Sequence, residues 1–186
     1  YTLSLHDALP ISFLTLACFQ VRADWINLTG AETAPNIAEI TVFDDRVEVA
    51  LEIYVGDLET FEPLIPDDWL KNLQVERPPI EERLARFSEH GLRITTETGK
   101  TLQAQLRLAE PRLRKDRYSP FAGMVNPYTS RRVPDAPGDK RVLYAELVYP
   151  FGETSPVTLT FTPPLDEAGL PPVTIGFILY HKSVPV

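Results

Sequence analysis

The sequence has 186 residues, of which 44% are hydrophobic and 24% are charged, a composition that suits one globular domain with a substantial core. Its net charge of −8 argues against sequence-independent binding of the whole chain to nucleic acid or to an anionic membrane. The single cysteine, Cys18, excludes a disulfide framework and a thiolate metal site from the body of the chain.

Residues 1–11, YTLSLHDALPI, resemble the conceptual translation of a sequencing adapter along their whole length. The resemblance implies a gene predicted on an assembled environmental fragment, with the true start missing. We therefore expect this segment to be an artefact and exclude it from fold reasoning, so His6 and Asp7 carry no function.

Residues 12–23 are predicted to be the remnant of a signal peptide. The apolar run Phe13–Phe19 is shorter than the about 20 residues that span a bilayer. Val21 and Ala23 are the small residues that signal peptidase requires before a cut after Ala23. Residues 24–186 would then form a single domain in the periplasm or elsewhere outside the cytoplasm. Two alternatives stay open: Cys18 is a lipid-modified cysteine, or the apolar run is a buried first strand.

Alternating side chains predict sheet structure from residue 37 onward. Apolar and polar residues alternate along Arg46–Val55, so one row faces a core and the other faces water. Asp44 and Asp45 tolerate tight-turn conformations and connect this strand to the preceding segment Ile37–Phe43. The pattern indicates a hairpin.

A helical insertion follows this hairpin. Asp57 is expected to cap a short helical turn, and Pro66 interrupts any longer run. The best helix is predicted over Pro79–His90, with proline at its start and acidic residues in its first turn. Gly91 is expected to end the helix in a left-handed conformation.

A second hairpin is predicted from Leu92–Glu97, a turn at Thr98–Lys100 and a strand with alternating apolar residues between Leu102 and Leu108. Apolar patterns indicate three more strands, over Val142–Tyr149, Val157–Thr162 and Val173–Tyr180. Seven strands with hairpin connections predict a mainly β fold, an antiparallel β-sandwich of immunoglobulin-like shape with one short helical insertion.

Residues 110–141 form a proline-rich segment whose charge is opposite to that of the remaining chain. It holds eight basic and four acidic residues, hence +4 by subtraction, so the remainder carries −12. A loop of this length is commonly functional or mobile, and arginine side chains bind phosphate and carboxylate groups through paired hydrogen bonds. An acidic partner protein or an anionic lipid headgroup would fit; alternatively, the arginines neutralise the domain's own acidic strands. The candidate anion- or partner-binding residues are Arg114, Arg117, Tyr118, Arg131 and Arg132.

No catalytic or metal-binding constellation is recognisable in the sequence. Outside the adapter-like segment the only histidines are His90 and His181, and Met124 is the only methionine. No serine stands in a Gly-x-Ser-x-Gly turn, and the adjacent carboxylates Glu81 and Glu82 would point in different directions around a helix. We therefore predict no catalytic residue, no metal and no cofactor.

The order of a signal sequence, the segment PNIAEITVFDDRVEVALEI and a β-rich portion ending in PPVTIGFILYHKSVPV resembles the extracytoplasmic N-terminal region of bacterial membrane proteins of the HupE/UreJ type. The resemblance covers about residues 24–186, depends on strand pattern and transfers no functional residue. It implies a helical membrane region downstream. The apolar end of the sequence is expected to reflect truncation. The family associates nickel handling with that membrane region, so nickel is not predicted for this chain.

These features favour a non-enzymatic interaction or ligand-binding domain outside the cytoplasm, the outer part of a larger membrane-anchored bacterial protein. One alternative is an envelope hydrolase with a pocket under residues 110–141, acting on a carbohydrate or a phosphate ester. Another is a structural sandwich that supports its neighbours by edge-strand pairing, which an unpaired, flat edge strand would favour.

Overall fold

The computed structural model describes residues 30–73, 76–127, 130–152 and 154–181. The adapter-like segment 1–11, the predicted signal-peptide remnant 12–23 and Cys18 lie outside these described residues. Strand is the main secondary structure, as predicted. The strands are β1 (Asn36–Val42), β2 (Arg46–Tyr54), β3 (Arg93–Thr96), β4 (Gln105–Leu113), β5 (Arg141–Pro150), β6 (Leu159–Thr162) and β7 (Ile175–His181).

Five of these strands form one sheet in the order β4-β5-β2-β1-β7. The first hairpin is confirmed: β1 and β2 are antiparallel, with Ile40 opposite Val49, and the Phe43 amide donates to the Arg46 carbonyl at 2.8 Å. The expectation of a purely antiparallel sheet is wrong at β7, which runs parallel to β1. A hairpin connection would have made β7 antiparallel to its neighbour. The chain instead reaches β7 by a long connection from β6, which lies in the other sheet, so β7 can run parallel to β1.

The second predicted hairpin divides between two sheets. Its turn is present, because the Leu102 amide donates to the Ile94 carbonyl at 2.9 Å, but β3 pairs with β6 and β4 pairs with β5. Leu102 and Ala104 are buried in the connection between the two sheets. The Ala104 amide donates to the Ser88 hydroxyl at 2.8 Å, so a side chain replaces the ladder partner that this amide has lost.

The helical region is larger than the single short insertion predicted. It contains the helices α1 (Asp67–Leu70) and α2 (Ile80–His90), with 3-10 turns over Val55–Leu64 and Lys71–Leu73. A further 3-10 turn, Ala31–Thr33, precedes β1. The helix predicted before residue 91 is confirmed as α2.

The left-handed conformation predicted for Gly91 is wrong, since its φ is −89°. Glycine is required here for space: a Cβ atom would lie 2.3 Å from the Phe87 ring and 2.8 Å from the Phe87 carbonyl oxygen. Only hydrogen fits between the end of α2 and its own last turn.

The core lies on one face of the five-stranded sheet. Alternation along β2 puts Val47, Val49, Leu51 and Ile53 on this face, all of them buried. A second layer built from β3, β6, α2 and the 3-10 turns of residues 55–64 covers it. The opposite face of the sheet therefore receives the polar row of β2, which carries the acidic side chains discussed below. None of the described helices has the length and apolar character needed to cross a bilayer.

Candidate anion-binding cavity

The basic segment crosses the acidic face of the sheet and is tied to it by one arginine. Arg117 donates from Nη1 to Glu52 Oε2 and from Nη2 to Glu39 Oε1, both at 2.7 Å. The side chains of Arg117 and Glu52 are only 11% and 5% exposed. Arg117, a predicted partner-binding residue, therefore forms its ion pairs inside the domain.

These contacts control the ionisation of Glu39. Burial raises the pKa of Glu39, but hydrogen bonds and charge attraction from Arg117, together with the charge of Lys115, outweigh burial and hold it below the ordinary value. Burial likewise lowers the pKa of Arg117, and its bonds to Glu52 and Glu39 outweigh that effect and raise it. Glu39 and Arg117 are therefore both stabilised in their ionised forms.

Arg114 lies behind the same surface without a carboxylate on its guanidinium. Its Nη2 donates to the Ala34 carbonyl at 2.8 Å, while its buried Nη1 has no hydrogen-bond partner among the described residues. Burial lowers the pKa of Arg114, and attraction to Glu52 opposes the shift. Arg114 thus adds a buried positive charge next to Ala34.

Most other basic side chains of the segment contact acidic groups of the same domain. Lys140 lies 2.6 Å from Asp116, and Arg141 lies 2.6 Å from Asp139. Arg112 stacks on the Tyr144 ring, with 3.8 Å between the guanidinium carbon and the ring centroid. Arg112 and Arg141 belong to β4 and β5, so the connection spans residues 114–140, shorter than the predicted 110–141.

A small hairpin-like tongue, formed by residues 123–127 and 130–133, presents the remaining predicted arginines. The Val133 amide donates to the Met124 carbonyl at 2.8 Å, and the Asn126 amide donates to the Arg131 carbonyl at 2.8 Å. Two contacts fix the tongue to the start of the domain. Val133 packs against Gly30, whose φ of 74° and lack of Cβ allow the approach, and the Thr33 hydroxyl donates to the Pro134 carbonyl at 2.7 Å.

A cavity of about 560 Å³ lies between the tongue, residues 30–34 and the start of β7. Arg131 and Arg132 line it, and both residues are exposed. Arg132 makes a 3.5 Å contact with Asp135, an exposed pair of low expected strength. The remaining walls are largely apolar, and their members are Gly30, Ala31, Ala34, Asn126, Val133, Pro134, Thr174, Ile175, Gly176 and Phe177.

The structure therefore separates the five predicted site residues. Arg131 and Arg132 share the cavity, Arg114 lies behind its wall next to Ala34, and Arg117 is bound on the sheet. Tyr118 is 81% exposed and does not line the cavity. The sequence could not have predicted the walls formed by residues 30–34 and 174–177, because the small and apolar residues in these segments are also typical of an ordinary protein core.

The polar side chains that line the cavity are arginine, asparagine and threonine. The described residues that line it include no aspartate, glutamate, histidine, cysteine, serine or tyrosine that could act as an acid, base or nucleophile. Nowhere in the described part of the chain do three histidine, cysteine, aspartate or glutamate side chains form a group able to hold a metal ion.

A second charged cluster was missed by the sequence reasoning, since Arg77 and Arg83 carry no local signal. Arg77 donates to the Glu62 and Ile65 carbonyls at 2.7 Å and to Asp67 Oδ1 at 2.7 Å, and Arg83 reaches Asp67 Oδ2 at 3.0 Å. Both arginines are buried at 6% and 4% side-chain exposure. They hold the 3-10 turns to α2 and have a structural role.

Comparison with known proteins adds no family to this description: no protein-family model, curated protein or solved structure matches the chain.

Proposed function

We propose that this chain is a non-enzymatic ligand-binding domain that acts outside the cytoplasm, as the outer part of a membrane-anchored bacterial protein. Its ligand is an anionic amphiphile, with a phosphate or carboxylate group at Arg131 and Arg132 and an apolar portion against the cavity walls. The observation that carries the proposal is the cavity itself, whose lining combines two arginines with largely apolar residues.

The dimensions and charges of the cavity support this ligand class. A volume of about 560 Å³ falls within the range of small-molecule sites, roughly 300–1,000 Å³. The buried charge of Arg114 behind Ala34 adds to the positive potential of the wall. Apolar groups of Ile175 and Phe177, which are only partly buried, would gain from covering by a hydrocarbon chain.

The proposed location is supported by sequence features, and the proposed finer fold class is supported by the arrangement of the sheets. The predicted signal-peptide remnant and the resemblance to HupE/UreJ-type proteins support export and anchoring by a downstream membrane region. A core shared between a five-stranded sheet and a layer that includes a two-stranded sheet supports an immunoglobulin-like sandwich as the finer class.

Calorimetric titration with short-chain phosphatidylglycerol tests the ligand, with short-chain phosphatidylcholine as the uncharged comparison. Replacing both Arg131 and Arg132 with alanine should weaken binding of the anionic lipid by about 100-fold or more, because hydrogen bonds to charged groups contribute about 1.5–3 kcal/mol each and about 1.4 kcal/mol is a factor of ten. The matched control replaces Lys71 and Arg86, two exposed cations outside the cavity lining, and should leave binding unchanged.

Equal binding of both lipids, or equal weakening by the two double variants, would refute the proposal. A Thr174→Asp variant provides a second measurement, because Thr174 is exposed in the cavity lining and a carboxylate there should repel the same ligand. Binding of an acidic protein without any lipid binding would assign the arginines to a protein partner instead.

A further inference from the structure

Two walls of the cavity are fixed to the same short stretch of chain, residues 30–36. On one side, the tongue packs so closely that a Cβ atom at Gly30 would overlap the Val133 side chain. On the other side, the side-chain amide of Asn36, a 1% exposed residue, donates to the Thr174 carbonyl at 3.0 Å. This stretch therefore sets the separation between the arginines of the tongue and the apolar start of β7.

Thr33 supplies a side-chain hydrogen bond from this stretch to the tongue's base. Its hydroxyl donates to the Pro134 carbonyl at 2.7 Å and lies 3.2 Å from the Gly30 carbonyl. Thr33 is 3% exposed and is not part of the cavity lining. A hydroxyl has one hydrogen to donate, so the nearby Gly30 carbonyl offers it a local acceptor whenever the bond to Pro134 is broken. The hold on the tongue can therefore be lost without leaving a buried donor unpaired.

The place of Pro134 governs the place of the two cavity arginines. Arg131 and Arg132 lie two and three residues before Pro134, and Val133 between them is 2% exposed. The proline ring restricts its own backbone, so little freedom remains between the held carbonyl and Arg132. Charged groups that are held in place before a ligand arrives bind it more tightly, because less freedom is lost on binding.

We propose that Thr33 is a positioning residue for the anionic group of the ligand, an inference that rests on the proposed function. Thr33 acts through the tongue and does not touch the ligand. Its hydrogen bond holds Arg131 and Arg132 at a fixed separation from the apolar wall, so that one amphiphilic molecule meets both. Loss of the hydroxyl should therefore weaken recognition of the charge and leave the apolar contact unchanged.

Thr33→Val removes the hydroxyl and keeps the branched shape. In calorimetric titration its affinity for short-chain phosphatidylglycerol should fall about fivefold, the factor that corresponds to one net hydrogen bond, and binding of short-chain phosphatidylcholine should not change. Thr33→Ser retains the hydroxyl and should recover the wild-type affinity. Tyr149→Phe is the matched control, because it removes a buried hydroxyl that bonds to a backbone carbonyl at 3.1 Å outside the cavity lining, and it should bind as the wild type does.

Limited trypsin digestion of the ligand-free protein measures the hold on the tongue directly. Trypsin cleaves after arginine, so the initial rate of cleavage after Arg131 and Arg132 reports how often the tongue leaves its place. Thr33→Val should be cleaved there faster than the wild type, and Thr33→Ser and Tyr149→Phe should not.

Unchanged cleavage of Thr33→Val, or an equal loss of affinity in Tyr149→Phe, would overturn the role of Thr33. An equal loss of affinity for both lipids in Thr33→Val would overturn it as well, because the effect would not concern the charge. A wild type that binds neither lipid would refute the proposed function itself. Unchanged cleavage of Thr33→Val beside a wild type that binds phosphatidylglycerol would refute only the positioning role.

Discussion

Replacing Arg117 with methionine should test whether the basic segment stabilises the domain through its ion pairs. Methionine retains much of the apolar stem but removes the cation between Glu39 and Glu52. Two unit charges about 4 Å apart interact by about 4 kcal/mol at an effective dielectric constant of about 20. Breaking a buried pair by removing one partner costs about 3–5 kcal/mol. Glu39 is 24% exposed and keeps Lys115, so we expect a loss near the lower end, about 3 kcal/mol.

Urea denaturation followed by circular dichroism measures this loss. With a slope of about 2 kcal/mol per molar urea, the unfolding midpoint of Arg117→Met should fall by about 1.5 M. Lys115→Met is the control. Its amine lies 3.3 Å from Glu39 and is 61% exposed, and exposed pairs contribute less than about 1 kcal/mol. The combination Arg117→Met with Glu52→Gln should recover about half of the loss, because no uncompensated charge then stays buried at Glu52.

The same variant should alter the response to acid. The pKa of Glu39 is lower in the folded protein than its ordinary value of 4.5, so its contribution is complete above that pH. The contribution is lost as the pH falls through the lower folded-state pKa. The wild type should therefore lose stability below pH 4.5, and Arg117→Met should lose less over the same interval. Equal stability of Arg117→Met and Lys115→Met, or identical acid profiles for variant and wild type, would refute the reasoning.

Three further substitutions test the packing. Gly91→Ala should lower the free energy of unfolding by about 1–3 kcal/mol in thermal or urea denaturation, because its Cβ would overlap the last turn of α2. Gly138→Ala is the control: a Cβ there meets open space, so its stability should be within about 0.5 kcal/mol of wild type. Ser88→Ala should cost about 1–3 kcal/mol, because it leaves the Ala104 amide buried without an acceptor; slow amide exchange there in the variant would contradict this. Tyr149→Phe removes a 3.1 Å bond to a backbone carbonyl and should cost about 1 kcal/mol, and no change in midpoint would show that the bond contributes nothing.

Local patterns predicted the elements of this fold well, because they depend on neighbouring residues. Alternation along Arg46–Val55 identified β2 and its buried row, and turn-forming aspartates identified the first hairpin. The alternation of Leu102–Leu108 predicted one strand, whereas its first residues cross between sheets and the rest join β5. Strand partners are chosen by contacts distant in sequence, which periodicity does not encode.

The sequence by itself determined the mainly β character, the helix before Gly91 and the uneven distribution of charge, since each follows from residue types and their spacing. Only the tertiary structure decided which arginines line the cavity and which form ion pairs on the sheet. Arg117 and Arg131 look equivalent in the chain, but folding places Glu39 and Glu52 beside Arg117 and a cavity beside Arg131. The reason is physical: the groups that a charged side chain contacts are brought to it by long-range packing, which the local sequence does not encode.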